Sequence, residues 1–152
     1  MSGSDLHDRV REGSEGCGLR LTTTEVDQII RYLSHLERWN RTINLTALPL
    51  TNYPAPTLNR LIFEPLQSVA CFPQGSFRWL DFGSGGGSPA IPLRIVLPAA
   101  SLTMIESRSR KAAFLRDVVR TLDLSDVHVL WDRLQHLPDA VPGRSVDVVT
   151  VR

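Results

Sequence analysis

Residues 80–93 read Leu-Asp-Phe-Gly-Ser-Gly-Gly-Gly-Ser-Pro-Ala-Ile-Pro-Leu, and no other stretch restricts the possible folds as much. An apolar run (Phe77, Trp79, Leu80) ends in an acid, Asp81. Gly83, Gly85 and Gly87 follow at alternate positions, and Pro89 opens a segment whose apolar residues suit a helix. Strand, glycine turn and helix start, in that order, make a nucleotide-cofactor cradle. Glycines serve because the turn is tight and the backbone must approach a ligand without Cβ atoms. Proline in a first helical turn gives up an N–H that has no helical partner anyway.

A dinucleotide site asks for G-x-G-x-x-G, with pyrophosphate at the helix N-terminus. Counted from Gly83, the third glycine falls at 88, where Ser88 stands. The pattern present is D-x-G-x-G-x-G, which resembles the first motif of S-adenosyl-L-methionine (SAM) methyltransferases. That cofactor has no phosphate and carries a cationic sulfonium and an amino-acid group. Asp81 suits a positive ligand and disfavours a pyrophosphate. Ser101–Ile105 reads as a buried strand with Glu106 at its end, about 20 residues past the glycines, where a carboxylate can accept from both ribose hydroxyls. The expected cofactor-binding set is Asp81, Gly83, Ser84, Gly85, Gly87 and Glu106. A dinucleotide site, or a glycine loop that only joins strand to helix, stay open as alternatives on these residues alone.

With 152 residues, one domain is the default. An apolar share of 42% suits a globular core. No apolar run approaches membrane-spanning length and the N-terminus lacks a signal-peptide core, so a cytoplasmic protein with no membrane partner is expected. Cys17 and Cys71 have no C-x-x-C partner, and the histidines (His7, His35, His128, His136) do not pair at metal-ligand spacing. No metal is expected, and the histidines read as exposed and solvated. A net charge of +1 argues against a strongly electrostatic nucleic-acid binder. The basic residues are nonetheless almost all arginine, with Lys111 the single lysine. They cluster at Arg108, Arg110, Lys111, Arg116 and Arg120, and at Arg31, Arg38 and Arg41. Arginine suits bidentate phosphate contact, whereas the simplest reading is solvated helix faces and an arginine-rich codon usage.

Residues 1–18 are rich in Gly, Ser and charge and read as a disordered tail. Thr22-x-x-Glu25 is a capping box before an amphipathic stripe of Val26, Ile29, Ile30, Leu33 and Leu36, a helix ending near Asn40. Prolines 49, 54 and 56 predict loop. Residues 58–70 read as helical, interrupted by Pro65. From 77, strands at about 77–82, 101–106, 127–131 and 146–151 alternate with helices at about 89–97 and 109–122, with a short helical segment near 133–139. This is an α/β pattern of parallel βαβ units with right-handed crossovers. The expected division is a tail over 1–18, a helical lid over 19–72 and a cofactor-binding domain over 73–152.

Four further landmarks carry a closer likeness. Leu36-Glu-Arg-Trp-Asn-Arg-Thr-Ile-Asn-Leu-Thr-Ala47 resembles the "KWNxxxNLT" signature of the bacterial small-subunit (16S) rRNA guanine-N7 methyltransferases, the glucose-inhibited division protein B type. Asp81–Leu93, Glu106–Leu115, and Asp132–Gln135 with Asp147–Arg152 are similar to its later motifs in order. The resemblance implies a Rossmann-like, class I SAM-dependent methyltransferase fold, here a partial parallel sheet of about four strands with an N-terminal helical lid. It implies SAM as cofactor and small-subunit rRNA or the 30S particle as partner. Gly83, Gly85 and Gly87 would line the cofactor, Glu106 would take its ribose, and Arg133 and Gln135 would lie beside the adenine and the methyl-transfer edge. Arg152 would face the RNA, and Asn40, Asn44 and Thr46 would sit in the lid near the substrate. Arg133 and Arg152 are thus the expected catalytic pair. Asn and Thr also commonly bond turn backbone, and Trp39 reads as a core anchor.

Guanine N7 holds a free lone pair, so its methylation needs no general base, and catalysis reduces to positioning. In A-form RNA the groove carrying N7 is too narrow to enter, so an unpaired guanine is the expected target. The family pattern continues past Arg152. The chain therefore reads as C-terminally truncated, the N-terminal half of a catalytic domain, with a cofactor-binding remnant lacking activity as the alternative function. The strand over 145–151, apolar and free of proline, is then an open edge through which the chain is expected to self-associate.

Overall fold

The computed structural model describes residues 3–133 and 145–151. Its centre is a parallel sheet of β1 (Phe77–Phe82), β2 (Ala100–Glu106), β3 (Val127–Trp131) and β4 (Val148–Val151), in the spatial order β3-β2-β1-β4. Helix α5 (Ala90–Val96) joins β1 to β2, and α6 (Ser109–Thr121) joins β2 to β3. Both crossovers advance the same way, so right-handedness places both helices on one face. β4 lies on the opposite side of β1 from β2. The strand order thus reverses beside the carboxyl end of β1, the place where open α/β sheets bind ligands.

Register assigns each residue to a face. Trp79 pairs with Leu102 and Val148, Leu102 pairs with Val127, and Asp81 pairs with Met104 and Thr150. Phe77, Trp79, Leu102 and Met104 share the covered face and are buried in the main core. The other face carries Leu80, Phe82, Leu130, Val149 and Val151, and of its apolar residues only Ile105 is buried. Val149 and Val151 are 55% and 73% exposed. The four valines expected to form one apolar strand therefore divide: Val146 precedes β4, Val148 packs against the core, and only Val149 and Val151 are open.

α5 is buried on all sides, as an all-round apolar helix must be. Its one charge, Arg94, is 3% exposed and donates from Nη2 to the Ser125 carbonyl at 2.6 Å. Burial lowers the Arg94 pKa, and Asp126 opposes that. Against α5 and α6 packs α2 (Thr23–Asn40), opened by the expected capping box: Thr22 Oγ1 accepts from the Glu25 N–H, and the Glu25 carboxylate accepts from the Thr22 N–H.

The N-terminal segment is not a disordered tail. It forms α1 (Gly3–Gly16), which lays Leu6, Val10 and Ser14 against the core. Gly and Ser lowered its apparent order, but Leu6, Val10, Ser14 and Cys17 recur at helical spacing. At Gly13 a Cβ would fall 2.0 Å from the Phe63 ring, so the ring packs into the space that glycine leaves. The interrupted helix near Pro65 is resolved as α3 (Ala55–Leu58), a wide π turn (Asn59–Phe63) and α4 (Glu64–Gln67). Pro65 has no N–H for the Leu61 carbonyl, and the Ser88 hydroxyl donates to that carbonyl instead at 2.8 Å.

His35 also departs from expectation. It lies partly buried between α2 and α6, 3.3 Å from Asp117 Oδ2 and 3.1 Å from the Thr121 hydroxyl. Desolvation lowers its pKa first, then Arg38, with Asp117 opposing. Burial alone would raise Asp117, but hydrogen bonds from Arg120 and Trp39 and the neighbouring positive charge hold its carboxyl below the ordinary value. Of the other histidines, His7 pairs with Asp27, His128 is exposed, and His136 lies outside the described residues.

Candidate functional site: the glycine turn and its two acids

After β1 the backbone turns through Gly83, Gly85 and Gly87 with φ of 66°, 51° and 89°. The Gly83 N–H donates to the Ile105 carbonyl at 2.9 Å, which ties the turn to the end of β2. The glycines do different things. A Cβ on Gly83 would meet open space, and one on Gly85 only the Gly83 carbonyl at 3.5 Å. A Cβ on Gly87 would sit 3.0 Å from Ile91 and 3.3 Å from Tyr32. Gly83 and Gly85 line a cavity of about 440 Å³, whereas Gly87 is the close-packing position beneath it. Gly86, a position the sequence pattern did not single out, presents its carbonyl to the Tyr32 hydroxyl at 2.7 Å.

Glu106 sits at the end of β2, 5% exposed. Its Oε2 accepts from the Gly85 N–H and its Oε1 from the Arg108 N–H, both at 2.9 Å. Each oxygen keeps a further lone pair, so the carboxylate is fixed in place while still able to accept from a ligand. Asp81 is 1% exposed, and its Oδ1 accepts from the Thr150 hydroxyl at 2.5 Å. Its Oδ2 has no partner among the described residues. Burial pushes the Asp81 carboxyl up, and the Ser84 and Thr150 hydroxyls pull it back. Ser84 also donates to the Asp81 carbonyl at 3.1 Å.

The lid residues separate on inspection. Asn40 accepts at Oδ1 from the Leu45 and Thr46 N–H groups at 2.8 and 3.0 Å, and donates from Nδ2 to the Thr46 carbonyl at 3.1 Å. Its visible work is to hold the 41–46 turn, which presses Leu45 onto Gly86. Thr46 lines the glycine-turn cavity, with Leu36, Leu45 and Leu61. Asn44 is exposed in a second cavity beside Arg108. Trp39 is an anchor: its ring meets Phe114 edge-on at 5.9 Å and its Nε1 donates to Asp117 at 3.0 Å.

Arg133 is exposed just past β3, beside Asp132, whose N–H donates to the Glu106 carbonyl at 3.2 Å. Gln135 and Arg152, and most of the expected short helix over 133–139, lie outside the described residues. Among the described residues no cluster of three His, Cys, Asp or Glu could hold a metal, and no helix is long and apolar enough to cross a membrane. Sequence reading missed Tyr32, Leu45 and Trp131. For Trp131 a signal existed: a large aromatic ending a strand immediately before Asp132-Arg133.

The family model described as rRNA small subunit methyltransferase G matches residues 25–152. The chain belongs to that family. It is 33% identical over 147 residues to the ribosomal RNA small subunit methyltransferase G of Neisseria meningitidis serogroup C (strain 053442), covering 95% of this chain and 66% of the relative. It is 35% identical over 136 residues to the protein of that name from Roseiflexus castenholzii, covering 89% and 57%. The chain thus spans less than two thirds of the length of these relatives. Among solved structures, a protein-L-isoaspartate O-methyltransferase aligns with a TM-score of 0.56 at 14% identity, over 96% of this chain and 47% of that one. A SAM dependent methyltransferase from Aquifex aeolicus aligns with a TM-score of 0.50 at 20% identity, over 66% and 53%. The fold is the Rossmann-like one of class I methyltransferases, and the family assignment rests on the sequence matches.

Proposed function

We propose that this chain binds SAM at the glycine turn and serves methyl transfer to N7 of an unpaired guanine in small-subunit rRNA. The observation that carries the reading is the Glu106 carboxylate, locked by the Gly85 and Arg108 amides against the glycine turn that leaves β1, the strand at which the order reverses. The family's relatives are named as small-subunit rRNA methyltransferases, and the residues present fit such a cofactor. Gly83 and Gly85 leave room for a close approach, and Glu106 has acceptor capacity for two hydroxyls. Asp81 Oδ2, without a partner among the described residues, is a buried acceptor that can take a donor from a ligand.

When bound, SAM supplies an electrophilic methyl group. The chain's own residues orient and enclose. Glu106 fixes the sugar end, the glycine turn supplies backbone amides, and Leu36, Leu45 and Leu61 narrow the access of water to the cavity. A guanine N7 lone pair needs no proton removed, which agrees with a site whose acids among the described residues are Asp81 and Glu106. Arg133 and Gln135 are proposed to lie beside the adenine and the methyl-transfer edge and Arg152 to face the RNA, and the partner is the rRNA itself or the small subunit that contains it. Among the described strands β4 pairs with β1 alone, and with Val149 and Val151 exposed it supports self-association as a second contact.

Calorimetry with S-adenosylhomocysteine, together with radiolabelled methyl transfer to small-subunit rRNA, tests the reading. Binding that survives Gly85→Val and Glu106→Ala unchanged would sink the site. Intact binding with no transfer to RNA would leave a cofactor-binding module without the activity.

A further inference from the structure

Immediately after Glu106 the chain reads Ser107-Arg108-Ser109-Arg110-Lys111, three cations in four residues with no carboxylate among them. Arg108 and Arg110 are exposed and Lys111 is half-buried. With Asn44 and Trp131 they line an open cavity of about 570 Å³ whose lining shares no residue with the glycine-turn cavity. Several other arginines are occupied. Arg38 and Arg120 contact Asp117, Arg41 contacts Glu37, Arg60 contacts Glu64, and Arg31 donates to the Thr121 carbonyl. Among the described residues, the side chains of Arg108, Arg110 and Lys111 have no such partner.

Trp131 makes the cleft more than a charged patch. It is 60% exposed, unusual for a large aromatic ring. Its Nε1 donates to the Ser107 carbonyl at 3.0 Å, so the ring is oriented while most of its surface stays in water. Cations that track a phosphate backbone, beside an aromatic face on which a base can stack, are the combination that single-stranded nucleic acid requires. Guanidinium forks match phosphate oxygens two at a time. Only an unstacked base can lie on an indole, which selects single-stranded over duplex RNA. With a net charge of +1, the attraction must be local rather than a property of the whole surface.

We propose that this cleft takes an unpaired stretch of the substrate RNA, with phosphates on Arg108, Arg110 and Lys111 and a base stacked on Trp131. The inference rests on the RNA-methylating reading above and adds where the strand lies. The cleft begins at Ser107, the residue after Glu106, and the Arg108 N–H bonds Glu106 directly, so RNA held here is next to the proposed cofactor.

The test measures binding of a fluorescent single-stranded oligoribonucleotide by anisotropy at several salt concentrations, with S-adenosylhomocysteine calorimetry on the same proteins. Arg110→Ala/Lys111→Ala should weaken RNA binding about tenfold or more and reduce the slope of log K against log salt by about one to two. Trp131→Ala should weaken it about fivefold to a hundredfold, and Lys111→Arg should restore the wild-type slope. S-adenosylhomocysteine affinity should hold in all of them, which also shows that the variants are folded. Variants that bind RNA as the wild type does, with the same slope, overturn the cleft and leave the methyltransferase reading standing. A wild type that binds the cofactor product but no RNA removes both. Trp131→Ala that loses S-adenosylhomocysteine and keeps RNA identifies the cleft as the adenosine end of the cofactor site and overturns the proposal.

Discussion

The two faces of the sheet share strands and register, yet differ in fate. One presents Phe77, Trp79, Leu102 and Met104 to α5 and α6, with α2 packed beyond them. The other presents Leu80, Phe82, Leu130, Val149 and Val151, most of them partly or fully exposed. In a parallel sheet, strand alternation does not tell inside from outside, because strands meant for burial on both faces read as continuous apolar runs. The direction of the crossovers decides. Both described helical crossovers run the same way across the sheet, so both helices fall on one side.

The largest effect should come from the covered face. Trp79→Ala removes a side chain that is 1% exposed and touches Phe72 edge-on at 5.2 Å. It is expected to cost about 3–5 kcal/mol in urea unfolding. Val149→Ala on the open face should stay within about 0.5 kcal/mol. Equal losses would mean that something buries the open face in solution.

Gly87→Ala comes next. It combines a φ of 89° with a Cβ 3.0 Å from Ile91, and an expected loss of about 1–3 kcal/mol follows from the strained backbone. Gly83→Ala, with open space around its Cβ, should lose less while weakening S-adenosylhomocysteine binding. If calorimetry ranks the two the other way for both stability and binding, the division of labour among the glycines is wrong.

Asp81 is a buried acid on the covered face, and its effect has a sign. Burial raises its carboxyl pKa, so folding favours the protonated form. Its most favourable contribution lies below the ordinary value of about 3.9, and it is lost as pH rises through the raised folded value. Asp81→Asn should therefore melt no lower than wild type at pH 7, and with less dependence on pH above about 4. A clear drop in Tm at neutral pH would show that the Thr150 bond outweighs burial.

The smallest effect on stability belongs to the edge. Val149→Lys should barely move the unfolding midpoint. In sedimentation across a concentration series it should shift an associating wild type toward monomer. A wild type that stays monomeric at high concentration and is indifferent to this change rules out pairing through β4. Val148→Lys is the poorer probe, because that side chain packs on the core.

Much of this arrangement is legible in the sequence. The period of Val26, Ile29, Leu33 and Leu36 marked α2, Gly and Pro marked the strand end at Asp81, and an apolar run closed by an acid marked the one at Glu106. α1 was hidden because Gly and Ser diluted a stripe only three or four residues deep. The π turn was foreshadowed by Pro65, but not the Ser88 hydroxyl that satisfies Leu61, which requires two segments 27 residues apart in sequence to meet. For the same reason the role of Glu106 could be placed at a strand end, whereas its bonds to two amides could not. Asn40 looked like a ligand contact because a side-chain amide serves a substrate and a turn equally well. Only the three bonds to Leu45 and Thr46 tell which one this chain has made.

The glycine turn has one more consequence. Three residues with positive φ in five suggest a segment that wanders. Here its Gly86 carbonyl is gripped by Tyr32 of α2, its Gly83 and Gly85 amides are held by β2, and the following Ser88 is bonded to Leu61. Opening the turn means parting three separate stretches of chain at once. In hydrogen exchange, its amides should therefore report the same slow, shared opening as the middle of α2 rather than the rapid fraying of a surface loop. The most permissive backbone in the protein is held as one cooperative unit with its neighbours.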